Sequence, residues 1–251
     1  MNKTALVTGA TSGIGKATAL MLAKLNYNLI ITGRRLKRLQ EFETELKKEF
    51  NIKVLILNFD IRDRKETKKQ IDNLPEDFKN IDVLINNAGL ASGLSLIQDG
   101  DIDDWEKMID TNVKGLLYIS RSIMPRMVER KTGHIINISS IAGKETYFKG
   151  NVYCATKHAV EALTKAMRID MLSFGIKVTS IAPGAVNTEF SFVRLGDKEA
   201  ADKVYEGLAP LYAQDIAEAV EFAVTRPAHV NINDILIMPT AQANSSHTHR
   251  V

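Results

Sequence analysis

The 251-residue sequence predicts an α/β fold, a single doubly wound domain with a seven-stranded parallel sheet and helices on both faces. Three observations predict it. Short apolar, β-branched segments alternate with longer stretches of 3.6-residue periodicity over nearly the whole length. The first apolar segment runs directly into a glycine-rich turn that opens a helix, as in the first βα unit of such a sheet, although its Gly-x3-Gly-x-Gly spacing is not the G-x-G-x-x-G fingerprint. No Pro-, Ser- or Gly-rich linker, composition shift or tandem repeat divides residues 1–251.

Composition narrows the classes further. Hydrophobic residues make up 45% of the chain, far too many for a disordered protein, and Cys154 has no partner for a disulfide. The formal net charge of +3 comes from 33 basic and 30 acidic residues interleaved along the chain, which argues against nucleic acid as a partner. Apolar runs such as Val54-Leu55-Ile56-Leu57 are strand-sized, well short of the roughly 20 residues of a membrane span. The start lacks a basic segment followed by an apolar stretch and small cleavage residues, so the default address is cytoplasmic.

In order, strands are expected near Ala5–Thr8, Leu29–Thr32, Val54–Asn58, Val83–Asn86, His134–Ser139, Lys177–Ala182 and Ile235–Met238. Helices are expected at Gly13–Leu25, Leu36–Phe50, Arg62–Leu74, Trp105–Arg130 with a break or bend, Tyr153–Phe174 and Asp215–Thr225. The segment Pro183–Pro210 interrupts the alternation just after the carboxyl end of a strand, where open α/β sheets bind ligands. It is expected to be a substrate lid over about 184–210.

The turn Thr8-Gly9-Ala10-Thr11-Ser12-Gly13-Ile14-Gly15 has the residues to cradle a pyrophosphate. Its glycines permit a tight turn and close approach, and the free N–H groups of a helix start attract negative charge. The bland alternative is a tight strand-to-helix connection. The second strand ends on Thr32-Gly33-Arg34-Arg35, with no carboxylate for ribose hydroxyls, and two guanidinium groups suit a 2′-phosphate. The expected cofactor is therefore NADP, the alternative being an exposed arginine pair at a helix start.

Tyr153 and Lys157 are four apart on one helix face, where an ammonium can lower the pKa of a phenol toward the range useful for acid–base work. Ser139 and Ser140 end the fifth strand at the same sheet edge, where a hydroxyl can bond a substrate carbonyl; capping is the alternative for both. Asn112 sits within a helical stretch where asparagine has poor propensity, so it needs a local reason such as a bend or a bound water. Arg194 is the nearest cation after the lid for a substrate carboxylate, against a solvated or subunit-contact role. Cys154, Trp105 and Met108 read as packing residues. His247-Thr248-His249 reads as a flexible tail, and no metal site is expected.

Together, Gly9, Thr11, Ser12, Gly13, Ile14 and Gly15, the run Asn86-Asn87-Ala88-Gly89, Asn112, Ser140, Tyr153-x-x-x-Lys157 and Pro183-Gly184 resemble the short-chain dehydrogenase/reductase family over essentially the full chain. The resemblance implies an oxidoreductase acting on CH–OH groups. It implies Tyr153 as general acid/base, Lys157 as the group that lowers its pKa and binds ribose, Ser140 as the substrate-orienting hydroxyl and Asn112 as holder of a relay water. It further implies that Asp60 and Ile61 contact adenine, and that Asn87, Ala88, Gly89, Pro183, Gly184, Val186 and Thr188 line the ribose and nicotinamide groove. Thr32–Arg35, Asn80–Ala91, Asp104–Asn112 and Pro227–Asn233 are similar to the NADP-dependent 3-hydroxy acid dehydrogenase subgroup, which includes serine 3-dehydrogenase, L-allo-threonine dehydrogenase and malonic semialdehyde reductase activities. In that subgroup glycine often replaces Ser139, which favours Ser140. The implied substrate is a short 3-hydroxy acid or its semialdehyde, and the implied assembly a homotetramer. A reductase for larger carbonyls and a non-catalytic NADP sensor are the rivals.

Overall fold

The computed structural model describes residues 2–251. The chain runs through β1 (Thr4–Val7), α1 (Gly13–Lys24), β2 (Asn28–Gly33), α2 (Leu36–Glu49), β3 (Val54–Asn58), α3 (Arg64–Asp72), β4 (Ile81–Asn86), α4 (Ile102–Ile109), α5 (Leu116–Arg130), β5 (His134–Ile138) and α6 (Asn151–Asp170). It continues through β6 (Lys177–Pro183), β7 (Val186–Asn187), α7 (Phe190–Leu195), α8 (Lys198–Lys203), β8 (Leu211–Tyr212), α9 (Ala213–Val224) and β9 (Asp234–Ile237). Seven strands pair in the order β3-β2-β1-β4-β5-β6-β9, all parallel.

Because successive strand residues face opposite sides, β1 sends Ala5 and Val7 to one layer and Leu6 to the other. The first layer packs Leu22 of α1, Leu39 of α2 and Val220 of α9. The second packs Ile119 and Ile123 of α5 with Val160 and Met167 of α6. Both faces are thus covered, which is why the strands read as continuous apolar runs. The order reverses between β1 and β4, and the carboxyl ends of those two strands open the crevice that such a switch point creates.

Local chemistry accounts for the boundaries that differ from the sequence expectation. Asp63 accepts from the Glu66 amide at 2.9 Å, so it caps α3 and leaves Arg62 outside the helix. The expected bend within Trp105–Arg130 is a π-helical turn, Asp110–Gly115, between α4 and α5. The α6 helix starts two residues before Tyr153 and ends at Asp170, with a separate 3₁₀ turn at Leu172–Phe174. The segment after β6 holds two short helices, and β7 pairs with β8 in a small second sheet. The C-terminal residues are folded back and not a loose tail: Gln242 bridges Thr248 and the His249 amide donates to the Ala241 carbonyl at 2.8 Å. Among the described residues no helix is long and apolar enough to cross a membrane.

Candidate active site

The glycine-rich turn is tied to the neighbouring strand end. Thr8 Oγ1 accepts from the amides of Asn87 (3.0 Å) and Ala88 (2.9 Å), while Asn87 Nδ2 donates to the carbonyls of Thr8 (2.9 Å) and Gly9 (3.2 Å). Gly9 adopts φ +67°, and a Cβ on Gly15 would stand 2.3 Å from the Gly9 carbonyl oxygen, so close packing of turn on helix excludes any side chain there. Ser12, at the N-cap of α1, places no side-chain bond on the helix amides. Beside this turn lies a cavity of about 520 Å³ lined by Ser12, Gly13, Lys16, Arg38, Thr188 and Glu189. Ile14 packs against the first core layer, and a Cβ on Gly13 would meet Thr188 at 3.4 Å.

The two arginines after β2 diverge. Arg35 donates to Thr11 Oγ1 (2.6 Å) and Ser12 Oγ (2.7 Å), and to Glu189 at 2.9 Å. Arg38, one turn further along α2, donates to the same carboxylate at 2.7 Å. Arg34 instead lies 3.8 Å from Asp60, whose carboxylate is gripped by Arg62. Burial pushes the Asp60 carboxyl up, but the Arg62 hydrogen bonds and the charges of Arg62 and Arg34 hold it below the ordinary range. Hydrogen bonds from Arg35 chiefly, and from Arg38, likewise hold Glu189 low. Two guanidinium groups therefore close on one carboxylate, with the Thr11 and Ser12 hydroxyls fastening Arg35 behind it, and a phosphate group fits the donors that now hold Glu189.

Farther along the crevice, several expected residues meet. Asn112, 2% exposed, accepts from the Leu90 amide and donates to the Leu90 carbonyl, both at 2.8 Å, and to Thr156 Oγ1 at 3.0 Å. The π-helical turn brings its amide to Leu90, in the loop after β4, which is the local reason the position needs. A Cβ on Gly89 would lie 3.2 Å from Asn112 Oδ1 and 3.6 Å from Lys157 Nζ. Lys157 Nζ donates to the Ile138 carbonyl at 3.0 Å. Burial lowers its pKa to about 8, against the opposing charge of Glu161. Ser140 ends the fifth-strand segment half-buried, whereas Ser139 turns its hydroxyl toward Gly143 and Glu161. Tyr153 is 7% exposed. Its burial pushes the phenol above its usual value, the nearby Tyr147 adds to that, and the Ser140 hydrogen bond and the Arg194 charge oppose it. The Arg194 guanidinium therefore opposes burial at this phenol from outside the Tyr-x-x-x-Lys motif.

Arg194 completes the other wall. Its guanidinium lies 5.5 Å from the ring centres of both Tyr147 and Tyr153, donates to Tyr147 Oη at 2.8 Å and to the Gly93 carbonyl at 3.3 Å. With Tyr153 it lines a cavity of about 230 Å³. Asp60 and Ile61 follow β3, while Pro183 ends β6 and leads through Gly184 to Val186 in β7, all at the carboxyl edge of their strands. Cys154 packs in a small cluster with Met108 and Tyr153, and Trp105 leans on it. Arg38, Tyr147 and Glu189 contribute although the sequence reading singles out none of them for a role, and Asp104 stands in the Asp104–Asn112 run with no role assigned to it.

A glycine-cradled helix start at a topological switch point, beside a buried Tyr-x-x-x-Lys pair and a strand-end serine, defines a nucleotide-dependent oxidoreductase, and the chain belongs to the short-chain dehydrogenase family. The family profile, short chain dehydrogenase, matches residues 3–196. The relatives make the comparison more particular. The chain is 44% identical over 250 residues to the NADP-dependent 3-hydroxy acid dehydrogenase of Schizosaccharomyces pombe, covering 99% of this chain and 96% of the relative. It is 43% identical over 248 residues to sulfoacetaldehyde reductase 2 of Chromohalobacter salexigens, covering 98% of each. The closed form of serine dehydrogenase complexed with NADP+ superimposes with a TM-score of 0.93 at 44% identity, covering 98% of this chain and 99% of that one.

Proposed function

We propose that this protein is an NADP-dependent oxidoreductase that interconverts short 3-hydroxy acids and their semialdehydes. One observation carries the reading: a buried phenol and a guanidinium 5.5 Å from its ring line the same small cavity. A hydroxyl at the phenol and an acid group at the cation are what a short 3-hydroxy acid presents. The likeness to the fungal NADP-dependent 3-hydroxy acid dehydrogenase and to the NADP+-bound serine dehydrogenase supports it.

NADP, when bound, supplies the hydride acceptor, or its reduced form the donor. Arg35 and Arg38, with Thr11 and Ser12, would hold its 2′-phosphate, and the N–H groups that open α1 its pyrophosphate. Ser140 orients the substrate oxygen and Tyr153 moves the proton. In the reductive direction the protonated phenol is ready to donate. In the oxidative direction the cations Arg194 and Lys157 and the Ser140 hydrogen bond must outweigh burial, which costs the phenolate its solvation. Lys157 positions ribose and Asn112 holds the relay water. The segment over 184–210 acts as a lid, anchored to the phosphate turn through Glu189. A cytoplasmic address and a homotetramer complete the proposal; exposed apolar side chains on consecutive helices, Ile102, Ile109 and Leu117, support association between copies of the chain.

Arg194→Met tests the substrate assignment. Its kcat/KM on 3-hydroxypropionate should fall about ten- to hundredfold, the value of a charge-assisted contact, while a neutral alcohol of the same size loses much less. Equal losses would remove the carboxylate role.

A further inference from the structure

Glu161 is a carboxylate that the chemistry described so far leaves unused, and it is 5% exposed. It stands one helical turn after Lys157 on α6, so the two share a face. A charge buried so deeply persists only where partners replace the water it has lost. Here the partners come from outside the helix. Lys144, in the turn after β5, donates to Oε2 at 2.7 Å and also bonds Asp234 at the start of β9. Ser180 of β6 donates to Oε1 at 2.7 Å. Burial pushes the Glu161 carboxyl up, but the Lys144 and Ser180 hydrogen bonds and the Lys144 charge hold it below its ordinary range. The turn that supplies Lys144 also carries Ser140, and α6 grips it on both sides of that serine. Before it, Lys157 Nζ bonds the Ile138 carbonyl at 3.0 Å; after it, Glu161 bonds Lys144. Gly143 lets the turn lie flat on the helix, since a Cβ there would stand 2.8 Å from the Lys157 carbonyl oxygen and 3.0 Å from Glu161 Cγ.

Resting on the reading above, in which Ser140, Tyr153 and Lys157 do the chemistry, we propose that Glu161 is the positioning residue of that set: its carboxylate pins the turn bearing Ser140 to the helix bearing Tyr153 and Lys157, and sets a negative charge behind the Lys157 ammonium. Burial draws the pKa of that ammonium down, and the charge of Glu161 opposes the fall. The other charged groups around the carboxylate are Lys144 from the turn, Asp234 from β9 and Arg168 further along α6, while β6 contributes the neutral Ser180. Neutralising Glu161 releases the turn and leaves Lys157 a buried cation without its carboxylate. Removing Lys144 also releases the turn, but it leaves the charge of Glu161 less neutralised and the negative field at Lys157 stronger. The two changes therefore act alike on geometry and oppositely on the ammonium.

The test uses that opposition. Wild type, Glu161→Gln and Lys144→Met are assayed with NADP and the 3-hydroxy acid that the wild type oxidises fastest, from neutral to alkaline pH. Both variants should lose about ten- to hundredfold in kcat, the cost of a reacting group displaced by about 1 Å, with the KM for NADP within about twofold of wild type. The alkaline fall in kcat, where Lys157 gives up its proton, should move to lower pH in Glu161→Gln and to higher pH in Lys144→Met. Alkaline limbs that stay in place or move in the same direction overturn the proposal, because a loosened fold alone gives the two variants no opposite signs. Should Glu161→Gln not fold, Lys144→Met decides by itself: its side chain is 24% exposed and tolerates replacement, and an unshifted or lowered limb overturns the proposal. Activity that is lost in Tyr153→Phe but kept in Glu161→Gln removes this inference alone. A fully active Tyr153→Phe, or a wild type that oxidises no 3-hydroxy acid, removes the underlying reading and this inference with it.

Discussion

Replacing Lys157 with methionine should abolish turnover and at the same time stabilise the protein at neutral pH. The ammonium is fully buried, and burial takes its pKa from 10.5 to about 8. Below pH 8 both folded and unfolded chains carry the proton, but the unfolded chain holds it more tightly, and the fall corresponds to roughly 3 kcal/mol against the native state. Methionine occupies similar space without the charge. It gives up the bond to the Ile138 carbonyl, which offsets about 1–3 kcal/mol. A gain of roughly 1 kcal/mol remains, or about 2–4 °C in Tm for a chain of this length. The sign reverses with pH. Wild-type stability rises across the window from about 8 to 10.5 as the folded protein sheds this proton before the unfolded chain does, and the variant lacks that rise. Thermal unfolding of both proteins without added nucleotide should show the variant ahead at pH 7 and behind at pH 10.5. A Tm difference that stays constant over that range would refute the reasoning, because the buried charge would then not be its source.

Three further outcomes follow from the site. Tyr153→Phe should bind NADPH with unchanged affinity, measured by fluorescence titration, and lose about 10²- to 10⁴-fold in kcat, the span of general acid–base catalysis; near-normal turnover would exclude the phenol as proton carrier. Arg35→Ala and Arg38→Ala should each raise the KM for NADP about tenfold or more and leave that for NAD within about twofold, since only NADP carries the 2′-phosphate that these guanidinium groups would hold. Comparable losses with both nucleotides would make these residues structural. Glu189→Gln removes the anion that Arg35 and Arg38 share, so NADPH should bind severalfold more tightly and NADH unchanged. Weaker binding of both would mean that Glu189 serves to fasten the lid and does not occupy the phosphate's place.

The layered fold was legible because it rests on local rules. Parallel strands buried on both faces must be apolar along their length, and the helices between them must carry an apolar stripe, so the alternation shows without any tertiary information. Motif spacing likewise located the turn at Gly9–Gly15, the Tyr153–Lys157 pair and the poor helix former Asn112, because each depends on neighbours in sequence. What spacing does not reveal is which partner a side chain selects across the fold. Arg34 and Arg35 look equivalent in the chain, yet one faces Asp60 and the other Thr11 and Ser12. Glu189 and Arg38 are 151 residues apart. The same holds for Tyr153, whose phenol burial and Tyr147 push up while Ser140 and Arg194, from the distant α7, oppose the rise. The segment after β6 hid its two short helices because helices of six residues carry too few turns to show a period.

The central claim is most directly tested by following NADPH absorbance when the purified protein is given NADP with L-serine, D-serine, L-allo-threonine or 3-hydroxypropionate, and in parallel with a bulky neutral alcohol. Turnover of at least one 3-hydroxy acid, greatly reduced when NAD replaces NADP and weak on the neutral alcohol, is the predicted result. Efficient oxidation of the neutral alcohol with none of the four acids would contradict the account.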